Sequence, residues 1–298
     1  MQANSPSDTA TLIARALLLS AGDASLAPLL ASGEEDAARR MLGDRADLGW
    51  FGFAGKRGWC RWLLMAFERL AVGGIFAHYL ARKRWIEREV RRGIDAGIRQ
   101  VVVVGAGYDA LAWRLHRELP DVEWFEIDHP ATQAPKRDAL EAAANLHFLP
   151  GDLAIDSPSH LLTKCPNFDP TRPALVIAEG LTMYFPEQQV TGLLDSMRNI
   201  AGTGGRLIFT FMARAEDGSI GFRGQCPAVD WWLRSRREPF LWGCARGDLA
   251  GFLEQRGLKL WALADHADLK REILLPLRRK RIPLARGECL CLCEPLAS

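Results

Sequence analysis

The chain has 298 residues, 48% of them apolar, and a formal net charge of +2. That length fits one large α/β domain with an appendage, and the apolar share suffices to bury a full core. The near-balance of charge carries no signature of a nucleic-acid partner, and no 18-residue apolar run offers a membrane span. The seven cysteines match no zinc spacing and are odd in number, so they read as reduced thiols of a cytoplasmic protein, with no metal site expected. The N-terminus lacks the basic region of a signal peptide.

Met1 to Asp8 reads as a tail. Asp8 or Thr9 is placed to cap a helix running through Leu19 and ended by Gly22-Asp23. A second helical stretch covers Leu26 to Met41. An aromatic, glycine-spaced loop, Leu48 to Phe53, leads to a helical patch from Trp59 to Leu70, whose Trp59, Trp62 and Phe67 are expected to pack inward. A basic helix over Ala77 to Ala96 carries Arg82, Lys83, Arg84, Arg88, Arg91 and Arg92 and is closed by Gly97. Most of these charges are expected on a solvated face, with one or two turned toward a ligand.

The central stretch runs from Arg99 to Asp128. Four valines, Val101 to Val104, lack polar alternation, as a parallel strand buried on both faces would. Gly105-Ala106-Gly107-Tyr108-Asp109 turns the chain into a helix with Leu111, Leu115 and Leu119 on one face. Val122 to Ile127 form a second strand that ends on Asp128. A helix over Lys136 to Ala144 follows, then a strand from His147 to Pro150 leading to Gly151-Asp152-Leu153. Ala174 to Ala178 form a fourth strand that delivers Glu179-Gly180. Pro186 and Glu187 open a helix whose buried face is Val190, Leu193, Leu194 and Met197. The fifth strand is Arg206 to Phe211. The region 212–244 breaks the alternation with Trp231, Trp232, Phe240 and Trp242. The last two strands are Leu258 to Ala264 and Glu288 to Glu294, with the basic loop Arg278 to Arg281 between them. Cys289, Cys291 and Cys293 share one face of the final strand.

Alternating strands and helices make a doubly wound sheet, in which ligands bind beyond the carboxyl ends of the strands. Asp128, Asp152 and Glu179 all fall there. The glycine turn also reads as G-x-G-x-x-A (Gly105, Gly107, Ala110), which a nicotinamide dinucleotide site would accept. Asp109, however, places a negative charge where a pyrophosphate would sit. A cationic adenosine compound without phosphate, such as S-adenosylmethionine, tolerates it.

The turn Gly105 to Asp109 with Trp113-Arg114-Leu115 resembles the first motif of the leucine carboxyl methyltransferase family, a branch of the class I S-adenosylmethionine-dependent methyltransferases. Gly97 to Val102, Phe125 to Pro130, Lys136-Arg137 and Glu179 to Pro186 match further blocks, and the likeness covers about Ala81 to Phe211. It implies an α/β fold with a seven-stranded, mostly parallel, Rossmann-like sheet of order 3-2-1-4-5-7-6 and a helical N-terminal cap. The cap would span residues 1–80 and the methyltransferase domain 81–298, with an insertion at about 212–245. The cofactor implied is S-adenosylmethionine. Arg82 would pair with its carboxylate, followed by Lys83 where bacterial relatives often carry threonine. Gly105 and Gly107 would form the turn, Asp128 would hold the ribose, Asp152 and Leu153 the adenine, and Glu179 the methionine end. Arg15 matches a basic residue that helps cover the cofactor.

The activity implied is in-line methyl transfer to a hydroxyl or carboxylate of a small molecule. Alternatives are a protein C-terminal carboxyl methyltransferase, a nicotinamide-dependent oxidoreductase and a non-catalytic binding module. A carboxylate acceptor needs no base, whereas a phenol gains from one. Candidates are His78, His129 and His266, and Tyr184 lies five residues after Glu179. The N-terminal helices and the 212–244 region are expected to line the acceptor pocket with Trp50, Phe51, Phe53, Trp231, Trp232, Phe240 and Trp242. Neither a nucleic acid nor a membrane is expected as partner, and the sequence leaves the oligomeric state open.

Overall fold

The four valines form most of β1 (Gln100–Val104), every residue of which is buried. The strands β2 (Glu123–Asp128) and β4 (Ala174–Ala178) flank it, both parallel to it. Val101 and Val103 enter one apolar core, and Val102 and Val104 enter a second on the opposite face. Two-sided burial therefore accounts for the unbroken valine run. The structure, a computed structural model, describes residues 8–43, 58–141, 143–235 and 238–296.

The strand β3 (Leu146–Pro150) pairs with β2, and β5 (Arg206–Ala213) pairs with β4, both in parallel. The last strand, β8 (Glu288–Pro295), inserts antiparallel between β5 and β7 (Leu258–Ala264). The implied order is therefore found. The sheet also gains an eighth member that the sequence did not reveal, the two-residue β6 (Gly243–Cys244) at the end of β5. Cys289, Cys291 and Cys293 are buried free thiols on one face of β8.

On one side of the sheet lie α1 (Asp8–Ala21), α2 (Glu34–Leu42), α3 (Gly58–Val72), α4 (Ile75–Asp95) and α5 (Leu111–Glu118). The helix α6 (Pro130–Ala139) follows β2. The other side carries α7 (Pro158–Leu162), α8 (Glu187–Ala201) and α10 (Leu249–Glu254), while α9 (Pro227–Ser235) precedes β6. Residue 80, the expected domain boundary, falls inside α4. Leu80 and Ala81 share one apolar core with Leu17 of α1 and Val101 of the sheet. Gly93 lets α4 approach β4 closely, since a Cβ there would lie 2.8 Å from Leu175 Cδ1.

Several local expectations need correction. Four of the six cations of α4, Arg84, Arg88, Arg91 and Arg92, keep solvent exposure as expected, but they are also held by partners. Arg88 pairs with Glu89 and Glu272, Arg91 with Glu87 and Glu118, and Arg92 with Glu89. Arg84 donates to the carbonyls of Leu29 and Leu30, both at 2.9 Å, and so ties the chain before α2 to α4. The helix expected over Lys136 to Ala144 starts earlier. His129 Nδ1 accepts from Ala131 N at 3.3 Å, Pro130 takes the first helical position, and Lys136 ends up inside. Its Nζ lies 2.6 Å from Glu126 Oε2, and both side chains are buried. Trp59 and Phe67 of α3 do not pack inward but are 56% and 67% exposed. Among the described residues no single helix is long and apolar enough to cross a membrane.

Candidate active site

The glycine turn works because Gly105 and Gly107 hold φ of +69° and +48°, which side chains disfavour. Strand β2 clamps it from behind. Ile127 O accepts from Gly105 N at 2.8 Å, and Asp128 Oδ2 accepts from Gly107 N at 2.6 Å. Asp128 Oδ1 accepts from His129 N at 2.7 Å. Burial pushes the Asp128 carboxyl above its ordinary value against the pull of these two amides. Glu179-Gly180 leaves β4 and is pinned by β5, with Gly180 N donating to Thr210 Oγ1 at 2.8 Å.

These strand ends open into one cavity of about 360 Å³. All seven residues implied for the cofactor line it: Arg82, Gly105, Gly107, Asp128, Asp152, Leu153 and Glu179. Tyr184 and His129 line it as well. The helix α1 contributes Ala10 and Ile13 rather than Arg15, and a Cβ on Gly107 would lie 3.5 Å from the Ala10 side chain. His266 is not among the lining residues. It opens α11 (His266–Leu269), beside the Asp265 that caps that helix, and burial lowers its pKa. It is thus withdrawn as a catalytic candidate. His78 is also absent from the wall, being fully buried behind it.

A buried ion cluster lies at the floor of the cavity, with Arg82 and Lys83 as its cations. Arg82 donates through Nε to Glu179 Oε1 at 2.8 Å and through one terminal nitrogen to Glu288 Oε1 and Oε2 at 2.7 and 2.8 Å. His78 Nε2 lies 3.0 Å from Glu288 Oε2. Lys83 Nζ lies 2.7 Å from Asp109 Oδ2 and 2.9 Å from Glu179 Oε2. The Tyr79 ring packs against both cations, 4.9 Å from the Arg82 guanidinium carbon and 5.4 Å from Lys83 Nζ. Burial would raise Glu288, but Arg82 and then His78 outweigh it and hold the carboxyl at about 2. Burial would likewise raise Asp109, and Lys83 outweighs it. One signal for Glu288 was available. An antiparallel strand begins where its parallel neighbours end, so an acid opening β8 lands among their carboxyl ends.

Leu181, Tyr184, Phe185 and Glu238 form another part of the wall. Leu241 N donates to Met183 O at 2.7 Å, which brings the segment after α9 alongside. Phe240 then lies 5.7 Å from the Tyr184 ring and 6.0 Å from Phe222. Burial, and next the charge of Glu238, push the Tyr184 phenol well above its ordinary value, so at neutral pH it is a hydrogen-bond donor and not a base. Among the described residues the expected tryptophan lining is not found. Trp242 is buried in the core between Phe211 and Phe252, at 6.2 and 5.4 Å, because β6 carries it onto β5. Trp231 is 71% exposed on α9. Trp50, Phe51 and Phe53, and the side chain of Trp232, lie outside the described residues.

Comparison with known proteins agrees with this geometry. The leucine carboxyl methyltransferase family profile matches residues 55–198. A Mycolicibacterium smegmatis protein named as an S-adenosyl-L-methionine-dependent methyltransferase is 32% identical over 210 residues, which cover 64% of this chain and 67% of that protein. A Mycobacterium tuberculosis protein of the same description is 29% identical over 195 residues, covering 60% of each. The match thus spans roughly two thirds or less of these relatives' length. A crystal structure described as a methyltransferase from Thermobifida fusca shares the fold, with a TM-score of 0.54 at 16% identity over 80% of this chain and 89% of that one. Together with the glycine turn and the acids at the strand ends, these similarities show that the chain belongs to the leucine carboxyl methyltransferase family of S-adenosylmethionine-dependent methyltransferases.

Proposed function

We propose that the cavity binds S-adenosylmethionine and that the protein methylates an oxygen of a small molecule, at a hydroxyl or a carboxylate. The observation that carries this reading is a single cavity with two kinds of wall. One is polar and charged, built on the glycine turn and strand ends. The other is aromatic, with Tyr184 and Phe185 in the wall and Phe240 against Tyr184. Its volume of about 360 Å³ falls in the range of small-ligand sites.

The polar wall suits a donor with a diol, an adenine, an amino acid and a sulfonium. Asp128 faces the cavity as a buried acceptor for the ribose hydroxyls. Asp152 and Leu153 flank the adenine and Glu179 lies by the ammonium, while Arg82, whose nitrogens already hold Glu179 and Glu288, would take the carboxylate only by giving up part of its contact with one of them. Asp109 also lines the cavity beside the turn, so a pyrophosphate there would meet a carboxylate. This disfavours a nicotinamide dinucleotide. The donor supplies a methyl group on a positively charged sulfur, open to in-line displacement by an oxygen. The protein's part is to hold the acceptor oxygen in line, and fixing reactants in this way is worth roughly 7–11 kcal/mol in favourable cases. Tyr184 can orient that oxygen by donating a hydrogen bond.

The test is methyl transfer from labelled S-adenosylmethionine to a panel of phenols and carboxylic acids. Labelled product from at least one of them is expected, and none from the whole panel would count against a small-molecule acceptor. For the acceptor found, Phe240→Ala is expected to cost roughly 0.5–1.5 kcal/mol of binding, a two- to tenfold rise in KM. Trp231→Phe, on the exposed face of α9, should leave KM unchanged.

A further inference from the structure

We propose that the basic loop between α11 and β8, together with the end of α3, docks on an anionic lipid surface, its cations among the headgroups and its leucines below them. This stands apart from the donor site. It is peripheral binding, which needs no membrane-spanning helix. It departs from the expectation of no membrane partner because a near-zero net charge hides a local excess.

The loop joins apolar and cationic side chains on one exposed stretch. Leu275 and Leu277 are 46% and 38% exposed, and Arg278, Arg279, Lys280 and Arg281 follow directly. Among the described residues no carboxylate pairs with any of these four, whereas Arg271 just before them pairs with Asp268 and Glu272. The charge of the loop is thus left for something outside the chain.

The backbone marks Arg278 in a second, independent way. The helical segment that begins with α11 and runs on through Leu274 ends in a turn closed by two hydrogen bonds. Arg278 N donates to Leu275 O at 2.9 Å, and Arg279 N donates to Leu274 O at 2.8 Å. This is the helix-ending motif whose left-handed residue is most often glycine. Arg278 occupies it at φ +57°, the one non-glycine with positive φ among the described residues. Glycine there would be less strained. An arginine at a position where it works against local stability fits a surface that uses its charge.

Packing joins the loop to the end of α3. Gly74 O accepts from Ala285 N at 3.2 Å, and a Cβ on Gly74 would lie 2.6 Å from Pro283 O. One helical turn back from this corner, Leu70 is 77% exposed, with Arg69 beside it and Phe67 also exposed. Apolar side chains around unneutralised cations match a leaflet of anionic headgroups over hydrocarbon. A nucleic acid would meet the charge but leave the leucines in water. The face also adjoins the candidate site, since Tyr79 of the cavity wall follows Gly74 by about 7.5 Å of helix along α4.

The experiment is sedimentation of the full chain with phosphatidylcholine vesicles, with and without phosphatidylglycerol, at low and high salt. Wild type should bind the anionic vesicles, and the binding should fall as salt rises. The triple variant Arg278→Gln, Lys280→Gln, Arg281→Gln should lower the partition coefficient roughly a hundredfold, at about fivefold for each cation. Leu275→Ser with Leu277→Ser should lower it about tenfold and leave the salt dependence unchanged. Arg278→Gly separates the surface role from a structural one: it should raise Tm and still weaken vesicle binding about fivefold. The proposal is overturned if wild type ignores anionic vesicles or binds neutral ones equally well, or if a folded triple variant binds as wild type does. Dimerisation through this face, or binding of an oligonucleotide, in the absence of vesicle binding would equally overturn it.

Discussion

Arg82→Met is expected to cost the fold about 3–5 kcal/mol, because it leaves Glu288 buried with His78 beside it and takes one of two cations from Glu179. The pH dependence distinguishes this from lost packing. In the wild type Glu288 titrates at about 2, below the ordinary 4.5. A depressed carboxyl contributes stability above its unfolded value and loses it as the pH falls toward its folded value. The wild-type contribution, about 3 kcal/mol, is therefore constant between pH 5 and 7 and disappears between about 4.5 and 2. In the variant the same carboxyl, buried without the guanidinium, should titrate above 4.5. The sign then reverses, and the deficit against wild type should shrink as the pH falls from 7 to 5. Urea unfolding at the two pH values measures it. Glu126 titrates in both proteins and cancels in the difference. A deficit equal at both values would mean that Arg82 acts through packing alone.

Lys136→Met should be comparably costly, again about 3–5 kcal/mol, since it strands Glu126 in the core. Burial already raises Glu126 to about 6, and Lys136 opposes that rise. Without the lysine the value should climb further, so the variant gains stability as the pH falls through it. The double variant Lys136→Met, Glu126→Leu should recover most of the loss, because two apolar side chains can replace a buried pair at little cost. The position of the pair gives it a second effect. Glu126 precedes Asp128 by two residues on β2, and Lys136 lies on the helix that starts after His129. Loosening it should also weaken donor binding. Thermal unfolding of the two variants, with and without S-adenosylhomocysteine, reads both consequences.

What the sequence revealed and what it hid follow from the range of the interactions. The four-valine strand, the turn at Gly105 and Gly107 and the acids at the strand ends are written locally, in runs of ten residues or fewer. The alternation of Cys289, Cys291 and Cys293 is equally local, and all three sit on one face as expected. The ion cluster is not local. Glu288 meets Arg82 across 206 positions of chain, and Lys83 meets Glu179 across nearly a hundred. Nothing in the periodicity of a basic helix tells which two of its cations turn inward. The tryptophans misled for a different reason. Trp242 lies close in sequence to Phe240, but pairing of Gly243-Cys244 with the end of β5 carries Trp242 into the core while Phe240 stays beside Tyr184. The early start of α6 depended on a histidine acting as cap, a role the sequence pattern had assigned to no residue.

The most direct test of the donor site is calorimetric titration of wild type and Asp128→Ala with S-adenosylmethionine, S-adenosylhomocysteine and NAD. Asp128 closes the glycine turn and faces the cavity where the ribose is proposed to lie. Wild type should bind the first two ligands at one site and NAD not at all. Asp128→Ala should weaken both by about 1.5–3 kcal/mol, the range for hydrogen bonds to a charged group. Binding of NAD in place of S-adenosylmethionine, or a folded Asp128→Ala with unchanged dissociation constants, would contradict the account.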